Sequence, residues 1–241
     1  MEERTRAYLR GRFGDYYRRA EITPPPDANE REWGYIPWTS GPGTTMVRHK
    51  SLLDLGDIEG FLERERPRHV YFSAGRYDDP SAGSMSEKNW RSSDLVFDLD
   101  ADHLPSVTLG EDSYAEMLEK CKDALLRLLD FLEDDFGFED MTIAFSGGRG
   151  YHVHVRDPGI QELEREARRE VVDYVRGLGM EFDAVVDEEA VGGEVGRKSP
   201  AHNEYLPTDG GWGGRIHERL LAEFDEIRAL EEDAAVERLQ E

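Results

Sequence analysis

Cysteine is almost missing from this chain: Cys121 is the single one among 241 residues. One thiol cannot close an internal disulfide, nor supply the several thiolates of a structural zinc site, so neither is expected and a reducing cytoplasm suits the composition. Lysine is scarce too, at five residues. No apolar run approaches the roughly twenty residues of a membrane span. The opening Met1-Glu2-Glu3-Arg4-Thr5-Arg6 has no apolar core of the kind a signal peptide carries. These absences point to a soluble cytoplasmic protein with no membrane contact. No internal repeat is present, and 241 residues are enough to bury a core for one large domain, with or without a smaller appendage.

What is abundant is acid. Against 30 Lys and Arg stand 53 Asp and Glu, a formal charge of -23. Such a surface repels nucleic acid, whose binding ordinarily rests on basic contacts to phosphate. The arginine-over-lysine bias and the even spread of acids fit a cytoplasm holding concentrated salt. There the Debye length falls to roughly 3 Å, so net charge hardly acts at a distance and contact-range groups decide binding.

Two stretches carry chemistry. Ser93-Asp94-Leu95-Val96-Phe97-Asp98-Leu99-Asp100 reads as a buried strand. The side-chain period of two sends Leu95, Phe97 and Leu99 to one face and Val96, Asp98 and Asp100 to the other. Two carboxylates side by side repel each other unless a cation lies between them, so the pair suggests a divalent-metal seat. The plainer alternative is an acidic surface pair. In the second stretch, Met141-Thr142-Ile143-Ala144-Phe145 and Tyr151-His152-Val153-His154-Val155 are strand-like, and the glycine-rich Ser146 to Gly150 between them carries Arg149, a hairpin signal. Glycines let backbone N–H groups face an anion, and a guanidinium pairs with phosphate through two bonds. His152, His154 and Arg156 share one strand face. Separately these are an acidic pair, a turn and a structural histidine. Together, a cation pair site and a triphosphate loop are what nucleotidyl transfer requires.

Asp98-Leu99-Asp100 within LVFDLDAD, then a long helix, then FSGGRGYHVHV, resembles the catalytic small subunit of the archaeal and eukaryotic type of DNA primase. In that family a hydrophobic strand ends in two metal-binding aspartates, and a Ser-Gly-x-(x)-Gly-x-His segment binds the incoming nucleotide's phosphates. Arg31-Glu32-Trp33-Gly34-Tyr35 resembles the family's Arg-Glu-Phe-Gly-Phe segment, and Arg48-His49-Lys50 lies where the family places a basic residue near the site. The resemblance covers about residues 2 to 156, and the remainder more loosely. It implies Mg²⁺ or Mn²⁺ on Asp98 and Asp100, and nucleotide contacts from Ser146, Gly148, Arg149, Gly150, His152 and Arg48, with His154 only supporting the strand. It also implies a large primase subunit as partner, a single-stranded DNA template, and ribonucleotide substrates with deoxynucleotides as a second possibility. Repair polymerases of the same superfamily, a non-catalytic nucleotide or nucleic-acid binding module, and, more distantly, a metal-dependent nuclease are the alternatives.

The chain departs from the pattern in two places. A third aspartate on a later strand, and a further Leu-Pro and His segment, have no convincing counterpart; Asp183 and Asp187 are the nearest, and read better as solvated loop acids. The sequence is therefore expected to be the N-terminal part of a longer chain. The zinc knuckle of many relatives has only His103 and Cys121 in the corresponding stretch, so no zinc is expected.

The implied fold is α/β (α+β), a mixed central β-sheet carrying the site and flanked by helices. A catalytic core is expected over residues 1–180, and an irregular loop with a partial helical appendage over 181–241. In chain order, helices are expected over Glu2 to Ala20, with Tyr8, Leu9, Phe13, Tyr16 and Tyr17 in the core, and over Leu52 to Arg64. A helix from the Ser113–Glu116 capping box to Phe136, another over Gln161 to Gly177, and a last one from Gly214 to Gln240 complete the set. Strands are expected at Arg31 to Trp38, Thr44 to Lys50 and His69 to Ala74, followed by a polar loop from Tyr77 to Asn89. The salt adaptation predicts that transfer from molar to millimolar KCl unfolds the protein, followed by circular dichroism; a flat profile would remove the salt argument.

Overall fold

The computed structural model describes residues 2–38, 45–180, 210–231, Ala234 and Arg238. Strands β1 (Arg31–Ile36), β2 (Val47–Lys50), β3 (His69–Tyr77) and β4 (Trp90–Ser93) form an antiparallel sheet of order β2-β1-β3-β4. Strands β5 (Leu95–Asp100), β6 (Met141–Phe145) and β7 (Gly150–Val155) form a second, of order β5-β7-β6. The α+β class stands, with the strands shared between two sheets in place of one central sheet. The division falls at Asp94. Its N–H still donates to Ala74 O of β3 at 3.0 Å, while the next residue already belongs to β5.

The chain divides into two compact units. One comprises Met1–Asp98, Asp140–Ala144 and His152–Glu164; the other comprises Leu99–Glu139, Phe145–Tyr151 and Arg165–Glu241. In the first, Trp33 of β1 packs with Leu55, Ile58, Phe61 and Leu62. These four come from two helices, α2 (Leu52–Leu55) and α3 (Ile58–Glu65), where the apolar periodicity suggested one. Gly56 sits at φ 82°, which ends the first helix. Ser51 and Asp57 each cap a new start, accepting from Asp54 N and Gly60 N.

Helix α1 (Glu3–Tyr17) forms as expected and Tyr17 packs on the Trp33 cluster, but Tyr8 and Tyr16 are exposed and only Gly14 is fully buried. The expected polar loop over 77–89 is shorter, because β3 runs on to Tyr77 and α4 (Met85–Lys88) fills its second half. Strand β4, made of Trp90-Arg91-Ser92-Ser93, carries no apolar alternation that would announce it. Strand β5 is partly covered, with Leu95 alone fully buried, so the expectation of a wholly buried strand is corrected.

In the second unit, α5 (Tyr114–Asp130) opens on the Ser113–Glu116 capping box and continues as a π-helical turn, Phe131–Asp135, before Gly137 at φ 67°. Its apolar stripe buries Met117, Cys121, Leu125, Leu128 and Leu132, and Met117 and Cys121 pack with Ala101, Leu99, Leu104, Val107 and Tyr151. Burial raises the Cys121 thiol's pKa, with the charge of Asp100 adding to it, as for a core residue and not a nucleophile. Helices α6 (Pro158–Gln161), α7 (Arg165–Val175) and α8 (Gly211–Arg228) complete the described elements. Asp183, Asp187 and the irregular stretch expected around them fall outside the described residues, as does most of the chain after Glu231. Among the described residues no helix is long and apolar enough to cross a membrane.

The first unit is held by one buried carboxylate. Asp94 is 3% exposed and accepts from Arg31 Nη2 at 3.0 Å, Arg156 Nε at 3.2 Å and Gln161 Nε2 at 3.1 Å. Arg31, fully buried, spends its other donors on the carbonyls of Pro26, Ser73 and Ala74. Arg156 also donates to Thr142 Oγ1 at 2.7 Å. Removing one member of such a set leaves the others charged and dry. Asp94→Ala is expected to cost about 3–5 kcal/mol of folding stability, measured as a denaturant midpoint in molar KCl; an unchanged midpoint would count against the network.

Candidate functional site

Two strand residues carry the carboxylates. On β5, Asp98 and Asp100 stand two apart and so share a side of the strand. Asp98 is well exposed, and its Oδ1 lies 3.3 Å from Nε2 of His152 on β7. Beyond Asp100 the chain turns through the short 3₁₀ segment Ala101–His103. That turn gathers Asp100, Asp102 and His103, one ligand atom from each lying within 4.8 Å of the others. Carboxylate oxygens with one imidazole are a donor set for a hard divalent cation. The sequence pattern pairs Asp100 with Asp98; the fold adds Asp102 and His103 to Asp100.

The glycine turn closes on itself. Ser146 N donates to Gly150 O at 2.9 Å, while Gly148 N and Gly150 N both point at Ser146 Oγ, at 3.4 and 3.2 Å. Gly147 supplies a φ of 79°. At Gly150 a Cβ would come 1.8 Å from Leu99 O, so only glycine fits beneath that carbonyl. The N–H groups expected to face an anion are thus donated inward, to Ser146 Oγ. Arg149 is engaged as well: Nη1 lies 2.8 Å from Asp102 Oδ2, and its carbonyl accepts from Ala101 N at 3.1 Å. Tyr114 OH, at the start of α5, donates to Gly148 O at 2.7 Å and ties down the turn's other flank.

Arg48, on β2, is 60% exposed and lies 3.7 Å from Glu32 Oε1. Glu32 is a hub that sequence reasoning passed over. It also accepts from His49 N at 3.0 Å and lies 3.4 Å from Nζ of Lys88, which is 1% exposed. Glu32 and Arg48 line a small cavity of about 110 Å³ with Gly34, Met46, Tyr71, Phe72 and Ser73. A larger one, about 630 Å³, is lined by Leu128, Phe131, Val175, Trp212 and neighbouring side chains, and contains none of the residues singled out from the sequence. Its apolar floor argues for packing, not chemistry. Asp102, Lys88 and Glu32 left no signal in local patterning, since each is defined by a partner far along the chain.

His154 sits behind His152, their ring centroids 6.5 Å apart, and packs on Phe72 at 5.8 Å. Its Nδ1 is buried without a hydrogen bond, and at 4.0 Å from Asp94 Oδ2 the nearest carboxylate is too far to provide one. Burial lowers its pKa, Arg156 lowers it further, and Asp94 acts in the opposite sense.

Residues 97–207 match the model of the DNA primase small subunit family. Over all 241 residues the chain is 75% identical to the DNA primase small subunit PriS of Haloarcula marismortui, covering 62% of that protein. It is 68% identical to that of Halobacterium salinarum, covering 61%, and 43% identical over 235 residues to that of Methanococcoides burtonii, there covering 96% of this chain and 60% of the relative. The chain is similar to the DNA primase small subunits along its sequence, and spans about six-tenths of the length of the curated relatives it matches. The first two come from halophilic archaea, in keeping with the acidic composition.

His154 provides a pH test of this geometry. Its pKa in the fold lies below the ordinary 6.5, so between the two values the unfolded chain holds more protons and stability falls as pH drops below about 6.5. Denaturation midpoints at about pH 7.5 and pH 5.5 are expected to differ more for the wild type than for His154→Gln. Equal differences would contradict the neutral, buried imidazole.

Proposed function

We propose that this chain carries the nucleotide- and metal-binding centre of a DNA primase small subunit, a nucleotidyltransferase that makes short RNA primers on single-stranded DNA. The observation that carries the reading is the family match over residues 97–207, which contains the Asp98 and Asp100 pair and the whole Ser146–His152 turn. The substrates are nucleoside triphosphates, ribonucleotides first and deoxynucleotides second. The partner is a large primase subunit.

Mg²⁺ or Mn²⁺ is the cation that fits, because the donors are carboxylate oxygens with one imidazole and no thiolate among them. When bound, the ions would lower the pKa of the attacking 3′-hydroxyl and offset the charge of the departing pyrophosphate. Asp98 and Asp100, which share a face of β5, would hold them, with Asp102 and His103 beside Asp100. Arg149 presents a planar, permanent charge to the triphosphate. Ser146 offers its hydroxyl, and the N–H groups of Gly148 and Gly150, now turned on that hydroxyl, become donors to phosphate oxygens once it rotates away. His152 lies beside Asp98, and by the resemblance it is read as a nucleotide contact. Arg48, largely exposed, is available to substrate. In a strongly acidic chain these few cationic groups must act at contact range, as concentrated salt requires.

The double variant Asp98→Ala, Asp100→Ala is expected to reduce dinucleotide and primer synthesis to background, with the thermal midpoint kept, since Asp98 is exposed and Asp100 is only half-buried. The assay uses single-stranded template, nucleotides and Mn²⁺ with no primer, which also separates a primase from a repair polymerase. Synthesis by the variant at the wild-type rate would refute the assignment.

A further inference from the structure

Asp102 was not among the residues the sequence singled out, and its setting is unusual. The side chain is 17% exposed and one oxygen, Oδ1, is buried with no hydrogen-bond partner. Leaving a carboxylate oxygen dry and unpaired is unfavourable. An apolar side chain would avoid that cost, so the carboxylate is read by what its other oxygen meets. What it acts on is Arg149. The other oxygen, Oδ2, stands 2.8 Å from Nη1 of that guanidinium, which is itself half-exposed and would be satisfied by water without help.

We infer that Asp102 is a positioning residue that stands in for phosphate on Arg149, holding the guanidinium in its working direction until a triphosphate displaces it. This rests on the reading of the Ser146–Gly150 turn as a triphosphate seat. Three features of the second unit support it. Carboxylate and phosphate oxygens are interchangeable partners for the guanidinium fork. The two residues are clipped together through backbone, Ala101 N donating to Arg149 O at 3.1 Å, so Asp102 keeps its place relative to the turn. The turn is braced on its other side by Tyr114 OH on Gly148 O, so exchanging Arg149's partner requires only side-chain rotation. Asp102 therefore has two opposed effects: it pre-orients Arg149, and it competes with the incoming anion. Removing its charge should strengthen anion binding while loosening the geometry.

The test measures binding of inorganic tripolyphosphate to the 241-residue chain, with no metal, in molar KCl, by calorimetry. Asp102→Asn is expected to bind roughly two- to fivefold more tightly than wild type, the effect of releasing one half-exposed ion pair. Asp102→Glu, which keeps the charge, should return toward wild type. With Arg149→Gln in place, the Asp102→Asn gain should vanish. Asp102→Ser serves the same comparison should the asparagine variant not fold. A purely structural Asp102 would give weaker binding in Asp102→Asn, or a change that persists with Arg149→Gln, and either would overturn the inference while leaving the phosphate seat intact. Binding that does not depend on Arg149 at all would overturn both.

Discussion

Asp94 is a carboxylate that has been taken out of water and must be compensated where it stands. Arg31 on β1, Arg156 just after β7 and Gln161 on α6 converge on its two oxygens. Arg31 in turn binds carbonyls of β3. A buried ionic set of this kind contributes little net stability compared with apolar residues of the same volume. Its effect is to penalise any arrangement in which a partner is missing. The start of β5 is thereby set relative to β1 and β3, and with it the position, four residues on, of Asp98.

The proposed site consists of groups that are already paired. Arg149 has Asp102, His152 has Asp98, and Ser146 Oγ has two N–H groups of its own turn. In a chain with so much excess acid, Arg149 and Arg48 each have a carboxylate at hand. On the proposed reading, binding an anion there would exchange one partner for another, with energetics set by contacts at close range and not by the overall field. That is the regime concentrated salt imposes, since screening removes the long-range repulsion of an acidic surface and leaves contact pairs comparatively untouched.

Much of the architecture was readable from local pattern. Strand-like runs over 141–145 and 151–155 with glycines between them gave a hairpin signal, and Ser113 with Glu116 ahead of a leucine stripe marked the start of α5. Elsewhere local pattern misled. Continuous helical spacing over 52–64 concealed the break at Gly56, because periodicity counts apolar residues and says nothing of φ. The aromatic residues of α1 suggested a core, yet Tyr8 and Tyr16 lie in solvent, since a stripe is buried only if something packs on it. Strand β4 has no apolar alternation and exists because β3 offers it a hydrogen-bonding edge.

By itself the sequence determined what depends on neighbours along the chain. The two-residue period places Asp98 and Asp100 on one side of a strand, the capping box starts α5, and the Asp-x-Asp and glycine-arginine patterns carry the resemblance to primase small subunits. Which charge answers which was decided only in three dimensions. Asp94 meets Arg31 across 63 residues and Asp102 meets Arg149 across the whole of α5 and β6. Glu32 on β1 likewise finds Lys88 at the end of α4. Ion pairs between distant segments have no period and no spacing rule, because they form wherever the backbone brings opposite charges within a few ångströms, and that distance is a property of the packed fold.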